Sequence, residues 1–327
     1  MRSPRPLSPL PLRTISIKNP PAYTKKTPAL QPGHYPLWWL LKGVSLLPFW
    51  LIYALSSVLY GVVYYVVGYR KKVVRQNLAN SFPQYSAQQR LAIEKQFFRN
   101  LSDILLETLK LVSISAKELE KRVEIRGLAE FNAYLENGQS VMLLGAHLGN
   151  WEYMSAAGNA VVPVPVDGVY KPLASSFFEV FMFHLRSRFG ITLVPMKDTL
   201  RHLLRHRGQT RVLSLLSDQV PPHGHIQFWT HFLHQDTPFY VGADKLRTSF
   251  GYPTFFVGMR HEGRGKYVVE FQELMEPPTS KSDVEGFPLT ELFAARLERW
   301  ITQYPAEYLW SHKRWKHKRP AAASPES

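Results

Sequence analysis

VMLLGAHLGNWE, residues 141–152, decides how the rest of the chain is read. An apolar run enters Gly145, the chain turns between Gly145 and Gly149, and a helix starts near Asn150. The pattern is strand, tight turn, helix. It puts His147 at the C-terminal edge of a strand, where open α/β sheets bind ligands. Glu152 falls on the first turn of the following helix. Gly145 and Gly149 permit close backbone approach, so the two side chains are expected to meet across the turn. A carboxylate accepting from one imidazole nitrogen leaves the other free as a general base. The same pair would also suit a purely structural role.

Working outward, short apolar runs at 141–146, 161–170, 191–195, 212–217, 254–259 and 267–271 read as strands. Segments near 150–159, 174–189, 197–207, 239–250 and 289–303 read as helices between them. That alternation predicts an α/β sheet flanked by helices. Upstream, 72–122 carries apolar residues at three- and four-residue spacing, with Pro83 as a break between two helices. No internal repeat is visible.

The front of the chain differs. Residues 43–69 hold no charge over 27 positions, long enough to span a hydrocarbon core. Trp38, Trp39 and Trp50 lie near one end and Tyr64, Tyr65 and Tyr69 near the other, as interfacial aromatics do. Positive charge at both ends leaves the orientation ambiguous, which a helix lying shallowly in the interface would resolve. Residues 1–36 contain nine of the 25 prolines and read as a disordered basic arm. The expected organisation is this arm, a membrane-anchoring helix over 37–70, a catalytic domain over 71–320 and a loose tail over 321–327.

Charge follows the same division. The formal net charge of +15 over 327 residues is not spread evenly. Twelve Lys and Arg precede the first carboxylate, Glu94, whereas residues 94–311 sum to −1 and residues 312–327 to +4. A near-neutral body with cationic ends argues for an anionic bilayer surface and against nucleic acid.

The chain has no cysteine, which excludes disulfides and thiol chemistry. It also lacks a Gly-x-Ser-x-Gly elbow, a His-Glu-x-x-His pair and a phosphate-cradling loop. The nucleophile is therefore expected to be a substrate hydroxyl activated by His147. His223, His225, His231 and His234 cluster in one loop, but with one nearby acid, Asp236, they make a poor zinc site.

GAHLGNWE resembles the His-x4-Glu block of the late acyltransferases of lipid A assembly, the lauroyl/myristoyl transferase family. VRQNLANSFP at 74–83, VYKP at 169–172, LRSRFG at 185–190, SDQ at 217–219 and YLWSHKRWKHKRP at 308–320 resemble further family blocks, in the same order. Lys171 stands where the family has arginine, keeping the charge but losing the bidentate fork.

The resemblance implies a glycerolipid-acyltransferase-like mixed sheet flanked by helices, with an N-terminal membrane helix. It implies an O-acyltransferase at the cytoplasmic face of a bacterial inner membrane. The acyl donor would be an acyl carrier protein or CoA thioester, and the acceptor a phosphorylated glycolipid, a lipid A precursor. Neither metal nor organic cofactor is implied. His147 would be the base, Glu152 would orient it, and Arg186 would support the oxyanion. Tyr170, Lys171, Arg188, Asp218, Gln219, Trp310 and Arg314 would bind substrate, with Asn77 and Asn100 as weaker candidates. The same motif would also fit another polar lipid acceptor, such as a phosphoinositide mannoside or an ornithine lipid, or a membrane-anchored lipid-binding protein with the pair idle.

Overall fold

The structure, a computed structural model, describes residues 28–278 and 286–320. Most of the Pro-rich arm (1–27) and the tail over 321–327 lie outside the described residues. The apolar front is two helices, not the single one expected. Helix α1 (Tyr35–Leu46) begins inside the segment read as arm, with Pro36 in its first turn, where a missing N–H costs nothing. Helix α2 (Phe49–Gly61) follows and continues as a π-helical segment, Val62–Val67. Pro48 causes the break: it forces Leu47 out of the helical region, to ψ 146°.

Helices α3 (Lys71–Ser81) and α4 (Ala87–Lys110) are separated at Pro83 as the spacing predicts, and Ser86 with Gln89 forms a capping box on α4. After α5 (Ala116–Glu120) the chain enters β1 (Val123–Arg126), α6 (Leu128–Glu136), β2 (Val141–Gly145), α7 (Trp151–Val161) and β3 (Val166–Tyr170). Then come α8 (Ser176–Ser187), β4 (Thr192–Pro195), α9 (Thr199–Arg205) and β5 (Val212–Leu216). The remainder is β6 (Phe228–Phe232), β7 (Gln235–Phe239), α10 (Gly242–Phe250), β8 (Thr254–Gly263), β9 (Lys266–Met275) and α11 (Pro288–Gln303).

Seven strands form one mixed sheet in the order β1-β9-β8-β2-β5-β3-β4. Strands β8, β2, β5, β3 and β4 are mutually parallel, while β9 pairs antiparallel with β8 and parallel with β1. The sheet flanked by helices agrees with the α/β expectation. Strand β2 lies at its centre, and its side chains alternate between two cores. Val141 and Leu143 pack with Phe131, Tyr153 and Phe181 on one face; Met142 and Leu144 pack with Phe293, Leu297 and Trp310 on the other. Burial on both faces is why VMLLG is continuously apolar.

Among the strands, three features depart from the sequence reading. The run 161–170 is a strand only from Val166, because Pro163 and Pro165 cannot donate to a ladder. Strand β1 alternates apolar and polar residues over only four positions, too few to stand out as a strand. The hairpin β6–β7 stands where the sequence reads as loop; it turns through Leu233 and His234, both at positive φ (50° and 63°), without the Gly or Asn that usually announces such a turn.

Candidate active site

The site follows from strand register. Strands β2 and β5 are parallel neighbours with Gly145 opposite Leu216. His147 lies two residues beyond Gly145, and Asp218 two residues beyond Leu216. Equal exits from adjacent strand ends bring the side chains together: His147 Nδ1 lies 2.8 Å from Asp218 Oδ1. The Gly149 turn behind His147 is held closely. Its φ is +52°, and a Cβ there would sit 3.1 Å from the Met259 carbonyl oxygen. Its N–H donates to Glu307 O at 2.9 Å, and Leu148 bridges Tyr308.

Asp218 is buried to 3% exposure and His147 to 14%. Burial presses the imidazole toward its neutral form. The Asp218 charge and hydrogen bond outweigh that, with Glu152 adding and Arg186 opposing, and hold His147 above the ordinary histidine pKa. Burial also pushes Asp218 toward protonation, but His147, with a smaller contribution from Arg314, keeps it below the usual carboxylate value. With Nδ1–H donated to Asp218, Nε2 is the accepting nitrogen. It faces outward, where the exposed Gln219 amide approaches it at 3.4 Å. Trp151 sets its ring edge-to-face against the imidazole at 5.1 Å.

Glu152 was expected to orient His147. The structure instead turns it to Arg186, with Oε2 accepting from Nε at 2.9 Å and Oε1 from Nη2 at 2.6 Å. Glu152 sits on α7 facing α8, so the guanidinium fork of Arg186 captures both oxygens and only the charge of Glu152 reaches the imidazole. The ion pair occupies one edge of Arg186, whose side chain is 25% exposed.

The other predicted residues separate into two groups. Lys171 is exposed on the loop after β3, and the Tyr170 hydroxyl donates to Glu179 at 3.0 Å beside it. Both lie at the same strand-end edge as His147. Arg188, Trp310 and Arg314 are built into the body. Arg188 Nη1 donates to the carbonyls of Leu111 and Ile114 at 2.8 and 2.6 Å, capping the C-terminal end of α4. Trp310 is fully buried and donates to Pro305 O at 2.6 Å, so it cannot lie on a membrane surface. Arg314, also buried, rests on the Phe239 ring at 4.4 Å behind Asp218 and beside Tyr308. The tail is thus a strap across the site's back. Asn77 donates to the carbonyls of Trp310 and His312, and Asn100 to that of Ala306, so both hold this strap down. The resemblance implies substrate contact for Trp310 and Arg314, but both side chains are buried, and the sequence does not reveal which face of the tail is covered.

Sequence reasoning missed Glu107. This fully buried carboxyl on α4 accepts from Asn150 Nδ2 at 2.7 Å, from the Tyr53 hydroxyl of α2 at 2.8 Å and from the Tyr267 hydroxyl. Burial raises its pKa against those three donors. Asn150 in turn caps α7 through Tyr153 N–H at 3.0 Å. A charge in the middle of an apolar helical stripe was the available signal. The histidines of 223–234 separate: His231 and His234 approach each other at 6.4 Å, while His223 turns to His317 at 5.5 Å. Among the described residues no group of three or more side chains converges to hold a metal.

Comparison with known proteins matches residues 25–317 to a family model described as bacterial lipid A biosynthesis acyltransferase. The chain is 23% identical over 299 residues to the lipid A biosynthesis lauroyltransferase of Escherichia coli K12, covering 89% of this chain and 95% of the relative. It is 24% identical over 255 residues to the lipid A biosynthesis palmitoleoyltransferase of the same organism, covering 76% and 79%. A lipid A biosynthesis acyltransferase of Shigella flexneri is similar at the same identity and extent, 24% over 255 residues.

Proposed function

Since the chain belongs to the bacterial lipid A biosynthesis acyltransferase family, we propose that it transfers a fatty acyl chain from an acyl carrier protein or CoA thioester to a hydroxyl of a lipid A precursor. The reaction would take place at the cytoplasmic face of the inner membrane. The observation that carries this reading is the His147–Asp218 pair at the ends of β2 and β5, with Nε2 turned outward.

In this reading His147 Nε2 takes the proton of the acceptor hydroxyl as its oxygen attacks the thioester carbonyl. Asp218 holds the tautomer and stabilises the imidazolium that forms, the task expected of Glu152 from sequence. Charge develops on the carbonyl oxygen, and Arg186, fixed from behind by Glu152, supplies the nearby cation to meet it. Collapse re-forms the carbonyl, the new C–O bond stays and the C–S bond breaks. The leaving sulfur recovers the proton from His147. Lys171 is an exposed cation at this edge and is assigned to an acceptor phosphate. Leu173 and Leu216, 45% and 39% exposed beside the same loops, suit the approach of a lipid.

The test is release of free carrier thiol from acyl carrier protein thioester by purified protein. Release should depend on acceptor lipid and be lost in His147→Ala. Full turnover by that variant would remove His147 from the chemistry. Mass spectrometry of lipids from cells with and without the protein identifies acceptor and chain length; a gain of mass on another polar lipid would reassign the acceptor.

A further inference from the structure

We propose that α1 and α2 seat the protein on one leaflet of an anionic bilayer without crossing it. Length alone would allow a crossing, since Phe49–Val67 is 19 residues long and apolar. The packing argues otherwise. The face of α2 and its π-helical continuation that is turned to the body carries the polar groups, with Ile52 among them. Tyr53 OH donates to Glu107 at 2.8 Å, Ser56 Oγ to Asp103 at 2.5 Å and Tyr64 OH to Glu94 at 2.9 Å. As the α2 residue number rises the α4 number falls, so the two helices run antiparallel side by side over this length. Arg264 ties the same seam, donating to Asp103 and to the Tyr53 carbonyl. A crossing α2 would drag α4, with Glu94, Asp103, Glu107 and Lys110, into the hydrocarbon, where ionisable groups are strongly disfavoured.

The outward face is the apolar one. Trp39, Leu40, Leu46, Trp50, Val58 and Val66 are between 60% and 79% exposed. Cations border the patch at both ends and lean on its aromatics: Lys42 sits over Trp39 at 4.8 Å, and Arg70 over Tyr69 at 5.5 Å. Trp and Tyr with flanking Lys and Arg match the headgroup level of an anionic leaflet. A helix with a polar inner face, an apolar outer face and cations at both ends lies in the interface. This seating resolves the orientation conflict of a span with positive charge on both sides, and it does not depend on the acyl-transfer reading.

Because the chain has no cysteine, single-cysteine variants report cleanly. Gln31→Cys and Lys72→Cys are exposed and flank the patch. In sealed inverted inner-membrane vesicles carrying the full chain, a membrane-impermeant maleimide should label both without detergent. Labelling of one position with protection of the other would mean a crossing and overturn the proposal. As a second measure, Trp50→Glu with Val58→Glu should keep the circular dichroism of the parent. It should lose at least tenfold in flotation with phosphatidylglycerol vesicles. Undiminished flotation, or a parent that buries this face in a dimer and floats no better than the variant, would also overturn it.

Discussion

Replacing Asp218 with Asn separates the geometry at the strand ends from the reading that sequence spacing favours. The carboxylate lies 2.8 Å from His147 Nδ1 and is 3% exposed. A buried charged hydrogen bond of this kind contributes about 1.5–3 kcal/mol, or roughly 10- to 150-fold in rate if it acts only in the transition state. The amide does further harm. Its NH2 can donate to Nδ1, which leaves the proton on Nε2, where the acceptor hydroxyl needs a lone pair. With the wrong tautomer included, kcat should fall about 10³- to 10⁴-fold. The pH profile should move as well. The base must be neutral, and Asp218 holds the His147 pKa up, so wild-type turnover rises with pH through a value above about 6.5. Without Asp218, burial and Arg186 dominate, and the rising limb should shift to lower pH. The assay is thiol release from acyl carrier protein thioester on acceptor-containing vesicles across that range. Glu152→Gln is the control: it loosens Arg186 and should lower kcat while moving the limb far less. If Asp218→Asn keeps wild-type turnover and an unshifted limb while Glu152→Gln moves it, the carboxylate serving His147 is Glu152 and the reasoning fails.

The same pair gives a stability signature. The raised His147 pKa stabilises the fold below about pH 6.5 and loses effect as pH rises through the folded value. The lowered Asp218 pKa stabilises above about pH 3.9 and loses effect as pH falls through its folded value. Wild type should therefore exceed Asp218→Asn in Tm most clearly between those two pH values, by scanning calorimetry. Arg186→Lys keeps the charge but not the fork to Glu152, and should lower kcat about 10- to 100-fold with KM little changed. Arg188→Ala should leave kcat of the folded enzyme near wild type but cost about 1–3 kcal/mol in urea unfolding, because the Leu111 and Ile114 carbonyls just after α4 lose their donor. Gly149→Ala, strained at φ +52° and crowded by Met259 O at 3.1 Å, should cost about 1–3 kcal/mol of stability.

The sequence made the chain's strand–turn–helix units readable because their periods are local. The β2 run, the Gly145–Gly149 turn and the α7 start stand where the residues put them. Strand order is not local. That β5 pairs with β2, ahead of β3 in the sheet, depends on which faces bury best, and no spacing in the chain records it. Asp218 and His147 are 71 residues apart in sequence, so the pairing was invisible while the nearer Glu152 offered itself. The same blindness applies to Trp310 and Arg314: the resemblance marks them as substrate contacts, but no local pattern records that both side chains face inward. Arg188 was drawn to the site by its neighbour Arg186, although two residues along a helix point to different sides. Lys171 and Gln219, named through the resemblance, both follow the C-terminal end of a strand, β3 and β5.

Glu107 gives the front helices a second meaning. One buried carboxyl receives Tyr53 from the apolar helix α2 and Asn150 from the turn between His147 and Glu152. The apolar front helix and the turn that carries His147 therefore share a keystone two hydrogen bonds deep. Cutting the chain after residue 70 to gain solubility would pull one stone from that arch. It would open Glu107 to water and slacken the cap that aims α7. What looks in the sequence like a detachable tether is masonry: loosened from its lipid bed, the enzyme should lose alignment along with address.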